Sequence, residues 1–217
     1  MTTAATTPRS RPDAAARPRT RALLAAAALA GPVFFASSVC QALTRPGFDI
    51  RIHPLSQLAT GDLGWIQQLT FVLAGLGGLA LALAHRRLVV DGAGARLAPI
   101  LLGVFGAGFV LAGLFTMDPQ HGFPAGAPAG AVEMSWHAIV HTAAAAASFL
   151  ALAGACTALL VRSIRRRQVG ASIGNGLVAL ALLAPTSPSG ASIQIAVTGL
   201  IAFTWITVTA LRLRRRA

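Results

Sequence analysis

Two histidines stand four residues apart in the run Trp136-His137-Ala138-Ile139-Val140-His141. On a helix this spacing puts both imidazoles on one face, where two ring nitrogens can share a divalent cation. Zinc takes three or four N, S or O ligands. His121, His53 and Asp118 offer the missing ones, and a water on such a zinc ion is acidified toward neutral pH for hydrolysis. The pair lacks the internal Glu of the metalloprotease pattern HExxH, so interfacial hydrogen bonding by the two rings is the plainer reading. Proton-linked work or ligand recognition is the third. If the helix starts early, Glu133 joins the same stripe.

The other polar groups able to do chemistry crowd into two connections. Asp49, His53 and Asp62 lie in one, Asp118, His121 and Glu133 in the other, and Gln67, Gln68, Thr116 and Gln194 occupy adjoining ends of apolar runs. Together His53, Asp62, Gln67, Asp118, His121, Glu133, His137 and His141 define a candidate ligand-binding vestibule, and His137, His141 and His121 a candidate zinc set. No complete catalytic signature accompanies them: Ser56, for one, lacks a GxSxG context. Asp62 and Ser135 each precede an apolar run and read as helix N-caps. Asp118-Pro119 reads as a helix stop, since the residue before proline is pushed out of helical geometry.

These residues must be held by a membrane domain. Of the 217 residues 55% are hydrophobic and 11% charged, and the mean hydropathy is +0.68, whereas soluble domains carry roughly 25% charged residues. Residues 22–43, 65–84, 97–116, 136–161 and 192–211 contain no Asp, Glu, Lys or Arg. At about 1.5 Å of rise per residue, about 20 such residues cross a hydrocarbon core about 30 Å thick. A sixth run, 169–184, is shorter and glycine-rich in its first half; counting it as a span keeps the two basic segments that flank the pair 169–184 and 192–211 on one side. The reading is an all-α six-helix bundle over residues 22–211, with an uncleaved first span bent at Gly31-Pro32. An Arg/Pro-rich tail at 1–21 is expected to be disordered, and a basic tail follows at 212–217.

The charge pattern sets the expected orientation. All 18 basic residues are arginine, and 16 of them fall before the first span, between spans 2 and 3, between spans 4 and 5, or after the last. Only Arg45 and Arg51 lie on the opposite side, so the positive-inside rule puts both termini in the cytoplasm of a cell-membrane protein. Basic segments adjoining spans are topogenic and attract anionic lipid headgroups; nucleic acid is not the partner they imply. Trp65 and Trp136 fall at span ends, as interfacial aromatics do. Cys40 and Cys156 lie too far apart in depth for a disulfide. The small residues Ala74-Gly75-Leu76-Gly77-Gly78, Gly103, Gly106-Ala107-Gly108 and Ala143 to Ala147 are expected at helix-helix contacts, or along a substrate path.

The stretch HPLSQLATGDLGWIQQLTFVLAGL, residues 53–76, is similar to the hallmark of the domain of unknown function 998 family of bacterial and archaeal multi-pass membrane proteins. Phe115, the Met117-Asp118-Pro119 turn, the Gly/Pro-rich connection after it and the histidine-bearing start of span 4 resemble that family in the same order. The resemblance covers about residues 20–212. It implies a six-helix membrane fold and brings no activity, substrate or cofactor with it. The leading functional expectation is non-catalytic binding of a lipid, small ligand or partner at the vestibule. A zinc-dependent membrane hydrolase and a small-solute transporter are the alternatives; no spanning segment carries an interior charge, which counts against ion coupling.

Overall fold

A computed structural model describes residues 16–187 and 190–217. Its helices are α1 (Ala16–Thr44), α2 (Gly64–Leu88), α3 (Leu97–Leu114), α4 (Trp136–Arg165), α5 (Val169–Leu183) and α6 (Ala191–Arg214), with a 3-10 turn at Leu55–Ala59. Five helices are long and apolar enough to cross a membrane, and α5, at 15 residues, is shorter. The expected six-helix, all-α membrane fold is therefore what the chain adopts. Consecutive helices run antiparallel and pack side by side from α1 to α5, and α6 returns against α1. One end of the bundle thus gathers the described arginine segments and the other the histidine-bearing connections; we call these the arginine end and the histidine end.

Several boundaries differ from expectation. Residues 16–21, expected in the disordered tail, are helical within α1, while 1–15, the rest of that tail, lie outside the described residues. Pro32 sits inside α1 without ending it. The third helix stops at Leu114, before Asp118-Pro119, because Phe115 is already extended. Ser135 does cap α4, its Oγ accepting from the Ala138 N–H at 3.3 Å. Asp62 does not cap α2: the capping position is Leu63, with no side-chain bond.

Between helices in lipid the hydrophobic effect gives little drive, so close backbone approach and dispersion must hold them. The α2–α3 seam shows this most clearly. A Cβ on Gly75 would sit 2.6 Å from the Gly106 carbonyl oxygen, and one on Gly106 2.7 Å from that of Gly75. Gly113 lies as closely against Gln68, and Gly77 against Ala30 of α1. Phe34, Phe71, Phe105, Phe109 and Phe203 then interlock at the bundle centre, four helices contributing rings with centroids 4.8 to 6.2 Å apart. Large apolar side chains instead cover the outward faces: Leu180 is 69% exposed, and Trp65 and Trp136, at the histidine end, are likewise exposed. Not every small residue serves packing. Gly103 has nothing within 4 Å of its Cβ position, and Ala107, Ala143, Ala146 and Ala147 are exposed.

The side of the bundle holding α5 is built differently. Fifteen residues rise about 22 Å, against about 45 Å for the thirty of α4. Starting at the arginine end, α5 gives out partway up α4, and residues 184–187 continue without helix, tied to α6 where Gln194 bonds Pro185 O and Ser187 N–H. Among the described residues a single side-chain bond, Trp205 Nε1 to Asn175 Oδ1 at 2.9 Å, joins α5 to α6. Above the end of α5, no helix among the described residues fills the wedge between α4 and α6.

Candidate functional site

The two connections at the histidine end fold into a cap. Arg45, buried at the end of α1, donates from Nη1 to Leu58 O at 2.5 Å and from Nη2 to Thr60 O at 2.7 Å, pinning the 3-10 turn. Its guanidinium also lies 4.7 Å from the centre of the Phe123 ring, a cation-π contact across the two connections. His53 is buried against Phe48 and Phe123. Its Nδ1 accepts from the Asp49 N–H at 2.9 Å and its Nε2 donates to His121 O at 3.0 Å. Since a carbonyl only accepts and an N–H only donates, this fixes the tautomer and leaves neither ring nitrogen free. Gln57 donates to Asp118 O at 2.6 Å, and the Asp118 carboxylate accepts from the Ser135 N–H at 2.7 Å. Exposed Arg51 hydrogen-bonds the Asp49 carboxylate and holds it down to about 2.

The eight vestibule candidates separate into distinct environments. His53 and Asp118 are consumed in the cap. Gln67, fully buried, joins α2 to α1 by accepting from Gln41 Nε2 at 2.7 Å and donating to Ser38 Oγ at 3.0 Å. Asp62, His121 and Glu133 are exposed. His137 is exposed too, its ring 3.7 Å from that of Trp136 and packed on Phe115. Among the described residues, no group of three or more His, Cys, Asp or Glu side chains is placed to hold one metal ion.

His141 is the exception. It is 3% exposed, and its Nδ1 lies 2.8 Å from Ala112 O and 2.9 Å from Phe115 O. Those carbonyls end α3, where no further turn can satisfy them, so the Nδ1–H of His141 closes the helix from outside. In the neutral ring Nε2 is then an acceptor, and no described residue bonds it.

The ring of His141 lines a cleft of about 520 Å³ in the wedge between α4 and α6. Five residues beyond Trp136 it lies about 7 Å along α4, and Phe149 about 20 Å along, so the cleft occupies the histidine-end half of the span. Leu182 and Ala184 form its lower edge, where α5 stops. A smaller recess of about 70 Å³, which shares His141, Ala145 and Phe149 with the cleft, is lined by Phe71, Phe109 and Phe203. Ser56, Thr142, Thr186, Gln194 and Thr198 supply hydroxyl and amide groups to the wider part. Among the described lining residues His141 is the only titratable one.

Sequence reasoning reached His141 and Gln194 but missed the walls. The histidine spacing drew attention to metal chemistry, while the signal for the cleft lay in the short sixth run and in the alanine run, of which Ala145 and Ala146 line it. Ala144 faces the other way, against Gly108 of α3.

No curated protein and no solved structure matches the chain. Residues 28–212 match the family described as Protein of unknown function (DUF998), a match spanning all six helices. With most of its length inside that match, this multi-pass membrane protein belongs to the DUF998 family.

Proposed function

We propose that this chain is a binding protein of the plasma membrane, with its arginine end in the cytoplasm, which takes one uncharged amphipathic ligand into the α4–α6 cleft. The observation that carries the reading is the lining. Apolar walls adjoin a phenylalanine-rich recess, and a few hydrogen-bonding groups sit at the wider part with, among the described lining residues, no Asp, Glu, Lys or Arg to pair an ionic head. Small-molecule sites have this composition, mostly apolar with a few placed polar groups. A hydroxyl is the head best matched to an acceptor at His141 Nε2, and an alkyl or isoprenoid tail to the walls.

The test is a titration of the purified protein with a long-chain fatty alcohol carrying a polarity-sensitive fluorophore, beside the corresponding fatty acid. Saturable binding of the alcohol at one equivalent is expected, weaker by at least about tenfold for the acid, because an unpaired buried charge costs several kcal/mol. A145W, which fills the cleft, should abolish the signal. Equal binding by A145W removes the reading. Metal content measured on the same preparation tests the hydrolase alternative: stoichiometric zinc lost in H137A/H141A would favour it.

A further inference from the structure

A second recess lies at the opposite end of the bundle. On the surface of the α2–α3 seam, a groove of about 620 Å³ runs between Leu79 and Leu83 of α2 and Ile100 and Gly103 of α3, and takes in Arg86 and Arg96 where it meets the connection at Val89, Val90 and Ala95. Gly103 opens it, since no atom lies within 4 Å of its Cβ position. Leu83 and Ile100 are exposed on helices apolar enough to cross a membrane, so the walls face hydrocarbon. The floor of the seam cannot widen into the groove, because Gly75 and Gly106 hold the two backbones together farther along.

The charge at its mouth is of one sign. Arg86 and Arg96 are exposed, and neither makes a hydrogen bond or ion pair with any described residue. The acid of the same connection, Asp91, turns to Arg166 at 3.7 Å. Arg96 also occupies the capping position of α3, whose first turn has no acidic residue and no side-chain cap. The partial positive charge of that helix end adds to the two guanidinium groups. Two cations with no partner among the described residues, set beside a lipid-facing apolar furrow, match one kind of molecule, with an anionic head and an apolar tail on the same side.

We infer that this groove is a binding site for one anionic phospholipid, its phosphate held by Arg86 and Arg96 and an acyl chain lying along Leu83, Ile100 and Gly103. The inference is independent of the α4–α6 cleft. Arginine suits it because its planar fork binds phosphate oxygens in pairs, and the apolar furrow favours a lipid over free phosphate.

Native mass spectrometry of the full chain from neutral detergent, with added phosphatidylglycerol or phosphatidylcholine, tests it. One phosphatidylglycerol should bind in preference to phosphatidylcholine by about thirtyfold, as two arginines near a membrane surface imply. R86Q/R96Q should bring the ratio close to one, and G103L, which blocks the furrow and keeps both charges, should also lose the bound lipid. R214Q/R215Q, which removes two exposed arginines elsewhere at the same end, should retain the preference. The inference is overturned if R86Q/R96Q keeps the preference, if R214Q/R215Q loses it equally, or if G103L binds as wild type does, since each points to diffuse attraction. Displacement of the lipid by millimolar inorganic phosphate would assign the site to free phosphate instead. A dimer lost in R86Q/R96Q, with no lipid preference in wild type, would assign the groove to a second copy.

Discussion

The α2–α3 seam and the α5–α6 seam use the same residue type to opposite ends. In the first, glycines remove side chains so that two backbones touch, and the seam becomes the rigid middle of the bundle. In the second, Gly174 meets nothing within 4 Å, α5 stops early, and among the described residues one indole hydrogen bond joins it to α6. Membrane helices held by contact rather than by expulsion of water are only as firm as their surfaces are complementary. The firm seam is built to stay closed; the loose one borders the cleft.

The contrast can be broken by one substitution made twice. G106A puts a methyl group within 2.7 Å of backbone atoms of α2, and the overpacking should cost about 3 kcal/mol. The natural reporter is Cys156, fully buried, in a C40A background that removes the exposed thiol; thermal unfolding followed by its alkylation should shift markedly downward. H141A comes next. It leaves the Ala112 and Phe115 carbonyls unpaired at the end of α3, a loss of about 2 kcal/mol, read by the same melt. G174A should move the other way, raising stability by about 0.5–1 kcal/mol, because in open space the substitution changes only helix propensity. The smallest effect belongs to W205F, about 0.6 kcal/mol for one interhelical hydrogen bond in a membrane. If G106A and G174A shifted the melt alike, the two seams would not differ as described.

The sequence was legible where the constraint is local and repeated. Charge-free runs long enough to cross a bilayer mark the spans, and the arginines of alternate connections predict one shared end; the helices place their described segments there. Ser135 was recognisable as a cap because its role is decided within four residues. Asp62 stands one position before the cap of α2, as happens where no side-chain bond fixes a helix end. The site was legible only in part. Two histidines on one helix face share a stripe, but whether their nitrogens are free depends on what a neighbouring helix brings to them. Carbonyls at the end of α3 take Nδ1 of His141, whereas His137, exposed beside Trp136 of its own helix, meets only rings. His53 is likewise occupied by backbone, the Asp49 N–H of its own connection and the His121 carbonyl of the other. The cleft was invisible for a further reason: it arises from a helix that is too short, and only the packed neighbours show what that shortness leaves open.

The account rests on that wedge between α4 and α6 holding a molecule. Organic extraction of the purified wild-type protein and of A145W, followed by mass spectrometry of the extract, measures this directly. About one equivalent of an uncharged amphipath is expected from wild type and a loss of at least about tenfold from A145W, whose melt stays within about 1 kcal/mol of wild type. An extract without such a molecule, or one equally rich in it from both proteins, would contradict it.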